Sequence, residues 1–175
     1  MRMKSLKKLK RAFFNRPTLQ VAEELLGKVL VFKNHKAMIT ETEAYFGFDD
    51  PASHAARGKT PRSQIMFGKP GFSYVYLIYG MYYCLNFVTE KEEFPAAVLI
   101  RGVKLIEKDG LGLHLNGPGK VCRALGISKT ENAVDIVTSP DFYVACMDNK
   151  NIKFLRTPRI GIKVGLDKHW RFVMS

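Results

Sequence analysis

Two glutamates, Glu41 and Glu43, stand two residues apart in the run Ile39-Thr-Glu-Thr-Glu-Ala-Tyr45. An extended backbone turns both to one face, with Thr40 and Thr42 on the other. Carboxylates so placed are either an acid/base pair or the solvated edge of a sheet. A second stretch, residues 71–86, holds most of the protein's tyrosines. With a period of two it folds back at Tyr79-Gly80, where glycine supplies the freedom a tight turn needs. Tyr74, Tyr76 and Ile78 then share one face, and Val75 and Leu77 take the other. Aromatic residues fit a pleated surface, so this hairpin is either ordinary sheet or a set of walls for a flat ligand. Arg101, closing the apolar run 96–100, calls for a carboxylate or phosphate partner.

Several basic groups surround these stretches. Residues 48–70 are rich in Pro, Gly, Ser and Asp and include Arg57-Gly-Lys-Thr-Pro-Arg62. Long loops inside a compact domain are uncommon and often functional, so a basic one is either a phosphate-contacting loop or a solvated surface. Gly117-Pro-Gly-Lys120 resembles a phosphate loop without being the nucleotide-hydrolase kind, because His114 takes the place of its first Gly and Val121 follows the lysine. What remains is a Gly-rich entry into a short helix, able to hold one phosphate or to serve as a plain transition.

The whole composition agrees with an anionic partner. The chain has 175 residues, 46% of them hydrophobic, and a net charge of +12. This length supports one domain with its own core. The charge does not follow from folding and points to a polyanion. Cys84, Cys122 and Cys146 are odd in number and form no C-x-x-C pair, which argues for reduced thiols in a cytosol-like compartment. No two of the four histidines have the spacing of a helical metal site, so neither a metal nor a cofactor is expected. Residues 1–11 alternate Lys and Arg with Leu and Met. They lack the apolar core of a secretory signal and read as a frayed tail, a nucleic-acid or membrane-surface arm, or an organelle-targeting peptide. No run is long and apolar enough to span a membrane.

The elements that must position the candidate residues follow in order. Thr18 to Gly27 predicts a short helix with Thr18 as N-cap and Leu19, Ala22, Leu25 and Leu26 on its apolar face. A hairpin follows, with strands at 28–32 and 37–44. The tyrosine hairpin and the strand at 96–102 come next, then the helix after Gly117. Strands at 133–145, 157–164 and 170–173 complete the chain. Runs of strands with hairpin connections and few helices predict an α+β fold, with a curved, mainly antiparallel β-sheet, flanking helices and a protruding β-hairpin. One domain is expected over 12–175, preceded by the basic extension.

Basic loops, an aromatic at an exposed turn and a carboxylate on a strand suit a protein that opens a duplex, extrudes a base and acts on its sugar bond. At this point the sequence resembles a known family. Phe13-Phe14, Leu25-Leu-Gly-Lys-Val-Leu-Val31, Glu41-Thr-Glu-Ala-Tyr45, His54, Thr60-Pro-Arg62, Tyr74 to Asn86 and Gly117-Pro-Gly-Lys120 are similar to the alkyladenine (3-methyladenine, methylpurine) DNA glycosylases.

The resemblance implies that Glu43 activates water, with Arg101 and the main-chain carbonyl of Ile160 holding it, while Glu41 has no catalytic part. Tyr79 would be the wedge in the duplex, supported by Met81 and Tyr82. Tyr45 and Tyr76 would stack on the extruded base, His54 would hydrogen-bond it, and Asn86 would exclude normal guanine. Thr60, Arg62 and Lys120 would contact backbone phosphates. An alkylated purine carries positive charge, so it stacks well on tyrosine and its glycosidic bond is already weakened. The expectation is therefore a monomeric hydrolase on duplex DNA containing damaged purines. It would have no strand-cleaving step and would work in the cytoplasm or nucleoid of a bacterium, or in the nucleus or an organelle of a eukaryote. A reading from another class is a non-catalytic module that holds damaged or single-stranded DNA.

Overall fold

The computed structural model describes residues 6–147 and 152–175. It begins with β1 (Lys7–Lys8), α1 (Arg11–Phe14) and α2 (Thr18–Leu25), followed by β2 (Val29–Phe32) and β3 (His35–Phe46). Two 3-10 turns, His54–Arg57 and Gln64–Phe67, interrupt the long loop. Then come β4 (Ser73–Ile78), β5 (Tyr82–Val88), β6 (Ala96–Glu107), β7 (Gly110–Asn116) and α3 (Pro118–Leu125). After a third 3-10 turn, Lys129–Glu131, the chain ends with β8 (Phe142–Cys146), β9 (Phe154–Thr157) and β10 (Arg171–Met174). Of the basic extension, residues 1–5 lie outside the described residues, and Lys7–Lys8 pairs with β8. Among the described residues, no helix is long and apolar enough to cross a membrane.

The α+β fold and its antiparallel sheet follow the sequence expectation. The strand order is β1-β8-β2-β3-β6-β5-β4, with β10 added beside β3 and β7 beside β6. The two twelve-residue strands, β3 and β6, are the spine. Each changes neighbour along its length. β3 leaves β2 after Met38 and takes β10 at residues 41–43, while β6 leaves β5 after Leu99 and takes β7 from Gly102. A sheet whose central strands exchange neighbours must curl, and Glu41 and Glu43 fall where β3 makes the exchange. They belong to the interior of the sheet and not to a solvated edge.

The main core lies between this curl and α1, α2 and α3, around Phe14, Leu25, Leu85, Phe87, Ile100 and Phe142. A smaller cluster of Ala55, Met66, Phe67, Tyr74, Val88 and Ala97 pins the loop over one end of the sheet. Beyond Asn86 the hairpin has no third strand beside it, because β5 pairs with β6 only at residues 86–88. The hairpin therefore protrudes.

Four local expectations are corrected. Pro17 is the N-cap of α2 and Thr18 its first residue. The missing acceptor comes from Glu90, whose Oε1 receives both the Thr18 N–H at 2.7 Å and its hydroxyl at 3.0 Å. Residues 133–145 are not one strand. Ala133 has φ +62°, and side chains of Asp135 and Ser139 accept the N–H groups of Val137 and Phe142, in competition with a ladder until β8 begins. Residues 157–164 are not a strand either. Pro158 offers no N–H, Gly161 has φ +77°, and β9 stops at Thr157. Leu77, which shares a face with Val75 and by that alternation reads as sheet core, is instead 42% exposed on the free-standing part of the hairpin.

Candidate active site

Strand β3 carries Glu41, Glu43 and Tyr45, and an irregularity in the pairing brings Arg101 to the two glutamates. Ile39 pairs with Val103, Glu41 with Gly102 and Thr42 with Ile100, so Thr40 and Arg101 are passed over in the register. A bulge of this kind re-aims a side chain. Arg101 Nε lies 3.1 Å from Glu41 Oε1 and 3.7 Å from Glu43 Oε1. Gly102 must be bare here, since a Cβ would stand 2.9 Å from the Glu41 Cβ. Glu41 also accepts a bond from Arg171 on β10, so two guanidiniums occupy it.

Glu43 has no exposed surface. Its Oε1 accepts the Ile160 N–H at 2.8 Å and its Oε2 accepts the Tyr45 hydroxyl at 2.7 Å. Ile160, expected to hold water through its carbonyl, thus also reaches the carboxylate itself through its N–H. Burial pushes the Glu43 pKa up, and the Ile160 N–H, the Tyr45 hydroxyl and the Arg101 charge all pull against that push. Burial likewise raises the Tyr45 phenol, which stays a neutral donor.

The residues that hold this carboxylate border a cavity of about 640 Å³. Tyr45, His54, Tyr76 and Asn86 line it, as do Arg101 and Ile160. His54 begins a 3-10 turn capped by the Ser53 side chain. Its Nδ1 lies 3.0 Å from the Tyr74 hydroxyl, and its ring meets Tyr76 edge-on at 4.6 Å. Burial, with the nearby Arg62 charge, lowers its pKa to about 4, so it is neutral at pH 7. Asn86 donates from Nδ2 to the Tyr74 carbonyl across the hairpin at 3.0 Å, which leaves its Oδ1 uncommitted.

At the outer end the hairpin turns through Tyr79 and Gly80, both with positive φ, closed by a Met81 N–H bond to the Ile78 carbonyl. Tyr79 is 81% exposed, Met81 66% and Tyr82 40%. Tyr79 and Tyr82 reach the cavity mouth; Met81 instead lines a smaller groove of about 330 Å³ between the tip and α3. Gly119 lets α3 approach, since a Cβ there would meet the Tyr82 ring at 3.1 Å.

The three residues expected on phosphates are dispersed. Lys120 lies at the cavity rim, its Nζ bonded to the Asn116 side chain at 3.1 Å. Arg62 and Thr60 lie outside the cavity. The Arg62 guanidinium sits 4.9 Å from the Tyr76 ring centre, and Thr60 bonds with Ser63. Among the described residues, no group of three or more His, Cys, Asp or Glu side chains is placed to hold a metal ion.

Three site residues escaped the sequence reading. Tyr74 was seen only as part of the hairpin face, yet its hydroxyl meets His54. Asp50 and Arg159 form a fully buried ion pair directly behind Tyr45 and next to Ile160. They are 109 residues apart, and no local pattern pairs them. The one available signal was that Arg159 adjoins Ile160.

The site thus joins an aromatic cavity, a buried carboxylate held by donors that line that cavity, and an exposed aromatic turn, on a strongly basic chain. Residues 12–175 match the family model described as methylpurine-DNA glycosylase, and the chain belongs to that family. Similar proteins include one from Rickettsia felis, 56% identical over 173 residues, covering 99% of this chain and 96% of the relative. One from a Wolbachia of Brugia malayi is 58% identical, covering 94% of this chain and 95% of the relative. One from Ehrlichia chaffeensis is 54% identical, covering 95% and 92%. Each is named "Putative 3-methyladenine DNA glycosylase".

Proposed function

We propose that the protein extrudes alkylated purines such as 3-methyladenine from duplex DNA and hydrolyses their N-glycosidic bond with water activated by Glu43. The product is an abasic site in an uncut strand. The observation that carries this reading is the buried Glu43 carboxylate, held by Tyr45, Arg101 and Ile160, three residues that line a cavity whose size suits a purine nucleoside. A carboxylate has about four acceptor positions, so beside the Ile160 and Tyr45 bonds its oxygens keep capacity for water or for the charge that grows on the sugar, which reach this buried group only as the side chains between it and the cavity give way. Burial raises its affinity for the proton it must take. Tyr45 and Tyr76 supply faces for a cationic base. Neutral His54 and the Asn86 Oδ1 read its edge. Tyr79 fills the gap in the stack, with Met81 and Tyr82 beneath it. Arg62, Thr60 and Lys120 hold the phosphates.

Glu41 is not a second catalytic carboxylate in this reading, because Arg101 and Arg171 occupy it. Lys120, the amine at the rim, is exposed and not desolvated as a Schiff-base lysine would be. The test is release of free methylated base from a duplex with one defined lesion. The unaltered protein should release it and leave a strand that breaks only on alkali treatment, while Glu43→Gln should bind the duplex and release nothing measurable. Full release by Glu43→Gln, or a covalent complex trapped by borohydride, would overturn the mechanism.

A further inference from the structure

We propose that Arg159, clamped by Asp50, is the positioning residue for the Glu43 carboxylate: it sets where both donors to that carboxylate stand. This rests on the reading of Glu43 as the base. Arg159 donates from Nη1 and Nη2 to the two Asp50 oxygens at 2.6 and 2.8 Å, and from Nη1 also to the Ala44 carbonyl at 2.9 Å. Both side chains are fully buried. The guanidinium lies 4.6 Å from the Tyr45 ring centre and 5.0 Å from that of Trp170. Tyr45 lines the cavity and Arg159 does not, so the guanidinium backs the ring.

The connection to Glu43 runs by two short routes. The residue after Arg159 gives its N–H to Oε1, and the ring Arg159 supports gives its hydroxyl to Oε2. The third guanidinium bond, to the Ala44 carbonyl, fixes the strand between Glu43 and Tyr45. The same ion pair anchors Asp50, whose Oδ1 accepts the Ala52 N–H and whose carbonyl accepts that of Ser53, the cap of the turn carrying His54.

Stability alone gives a poor account of this pair. Burying two charges costs several kcal/mol per ion, and well-packed apolar side chains often do as well or better. The Arg159 Nε is left with no partner, the only such buried side-chain atom among the described residues. What a planar, bidentate pair supplies and an apolar cluster does not is fixed direction. Gly165 completes the seat. With φ +71° it passes over the guanidinium, where a Cβ would be 2.9 Å from Nη2.

The experiment is the pH profile of base release under single turnover. The groups facing Glu43 are Glu41 and Tyr45 from its own strand, Arg101 from β6 and the Ile160 N–H, with Arg171 reaching Glu41 from β10. Weakening the two donors favours the protonated acid, so Arg159→Lys should move the acid limb up by roughly half to one pH unit. It should also slow the chemical step at least tenfold, with duplex binding changed less than twofold. Tyr45→Phe, which removes one donor without touching Arg159, should move the limb in the same direction. A folded Arg159→Lys protein with the parent's limb and rate overturns the proposal, whatever its melting temperature. If that protein does not fold, Gly165→Ala carries the same readout, because its methyl presses on the guanidinium. An unshifted limb there overturns the proposal equally. Full activity of Glu43→Gln would instead remove the reading beneath it.

Discussion

The surroundings of the Glu43 carboxylate and the tip of the tyrosine hairpin border the same cavity and are built by opposite rules. At the first, Glu43 has no exposed surface and its charged and polar neighbours are paired: Ile160 and Tyr45 on the carboxylate, Arg101 between two glutamates, Arg171 on Glu41, Arg159 on Asp50 with only its Nε unpartnered. At the second, Tyr79 and Met81 are mostly exposed, on strands with no third neighbour. A buried charge is tolerable only with its partners in place, so the first region is rigid by construction. An exposed turn carries no such debt and is free to enter another molecule. Chemistry is proposed for the region that cannot move, and insertion for the one that can.

The largest expected effect breaks the first region at its centre. Glu43→Gln should lower base release by roughly 10²- to 10⁴-fold, the range of a lost general base. Stability near neutral pH should fall little or even rise, since an ionised carboxylate held against its burial is exchanged for a neutral amide. Single-turnover release and thermal melting together check the pair of outcomes. A large melting loss beside intact release would mean that Glu43 holds the fold rather than the reaction.

Next in size is the pH dependence. With the Glu43 pKa raised, release should fall about tenfold per pH unit below a limb that lies above the ordinary carboxylate range. The stability signs of Glu43 and His54 oppose each other. Glu43 holds its proton more tightly folded than unfolded, so its contribution is present at low pH and lost as pH rises through its folded pKa. His54, lowered to about 4, contributes stability above its ordinary value, and loses it as pH falls toward 4. His54→Gln should therefore retain the acid limb of release. A limb that vanished with the imidazole would assign the titration to the wrong group.

The two regions also differ in how far the sequence reveals them. The hairpin is local: alternation over residues 74–78 gives its faces, and a glycine marks its turn. Tyr74 and Tyr76 on one face with Val75 opposite are found as read. The need of Arg101 for a carboxylate was legible too, because buried guanidiniums are rarely left alone. Which carboxylate was not legible, because the bulge that skips Arg101 belongs to the pairing of two strands. The cap of α2 by Glu90 crosses 72 residues, and the clamp of Arg159 by Asp50 crosses 109. Patterns of two and 3.6 residues are blind to such pairs. The failed strands at 133–145 and 157–164 share one cause: β-branched residues announced a ladder that side-chain bonds, Pro158 and left-handed backbone prevented.

Smaller again is Tyr79→Ser. One aromatic group in a base stack is worth roughly 1 to 3 kcal/mol, so binding to lesion duplex should weaken about tenfold. The melting temperature should stay within error, because the ring touches little of its own protein. Titration of a labelled duplex at fixed salt measures the first and calorimetry the second. Equal losses in binding and stability would show the tip to be packed rather than poised.

The smallest expected effect, that of Leu77→Ser set against Leu85→Ala as its reference, tests where the hairpin stops being sheet and starts being tool. Val75 and Leu77 lie on the same face two residues apart, yet Val75 is buried while Leu77 is 42% exposed. Between them the support of the core ends, since α3 packs on β5 and the third strand has already left the pair at Asn86. Leu85→Ala, inside that boundary, should cost about 2 to 5 kcal/mol in urea unfolding, the range for a buried leucine that leaves a cavity. Leu77→Ser, outside it, should cost less than about 0.5 kcal/mol. A Leu77 loss approaching that of Leu85 would mean that the outer half is held as firmly as the carboxylate end, and the division between a fixed and a free region would fail.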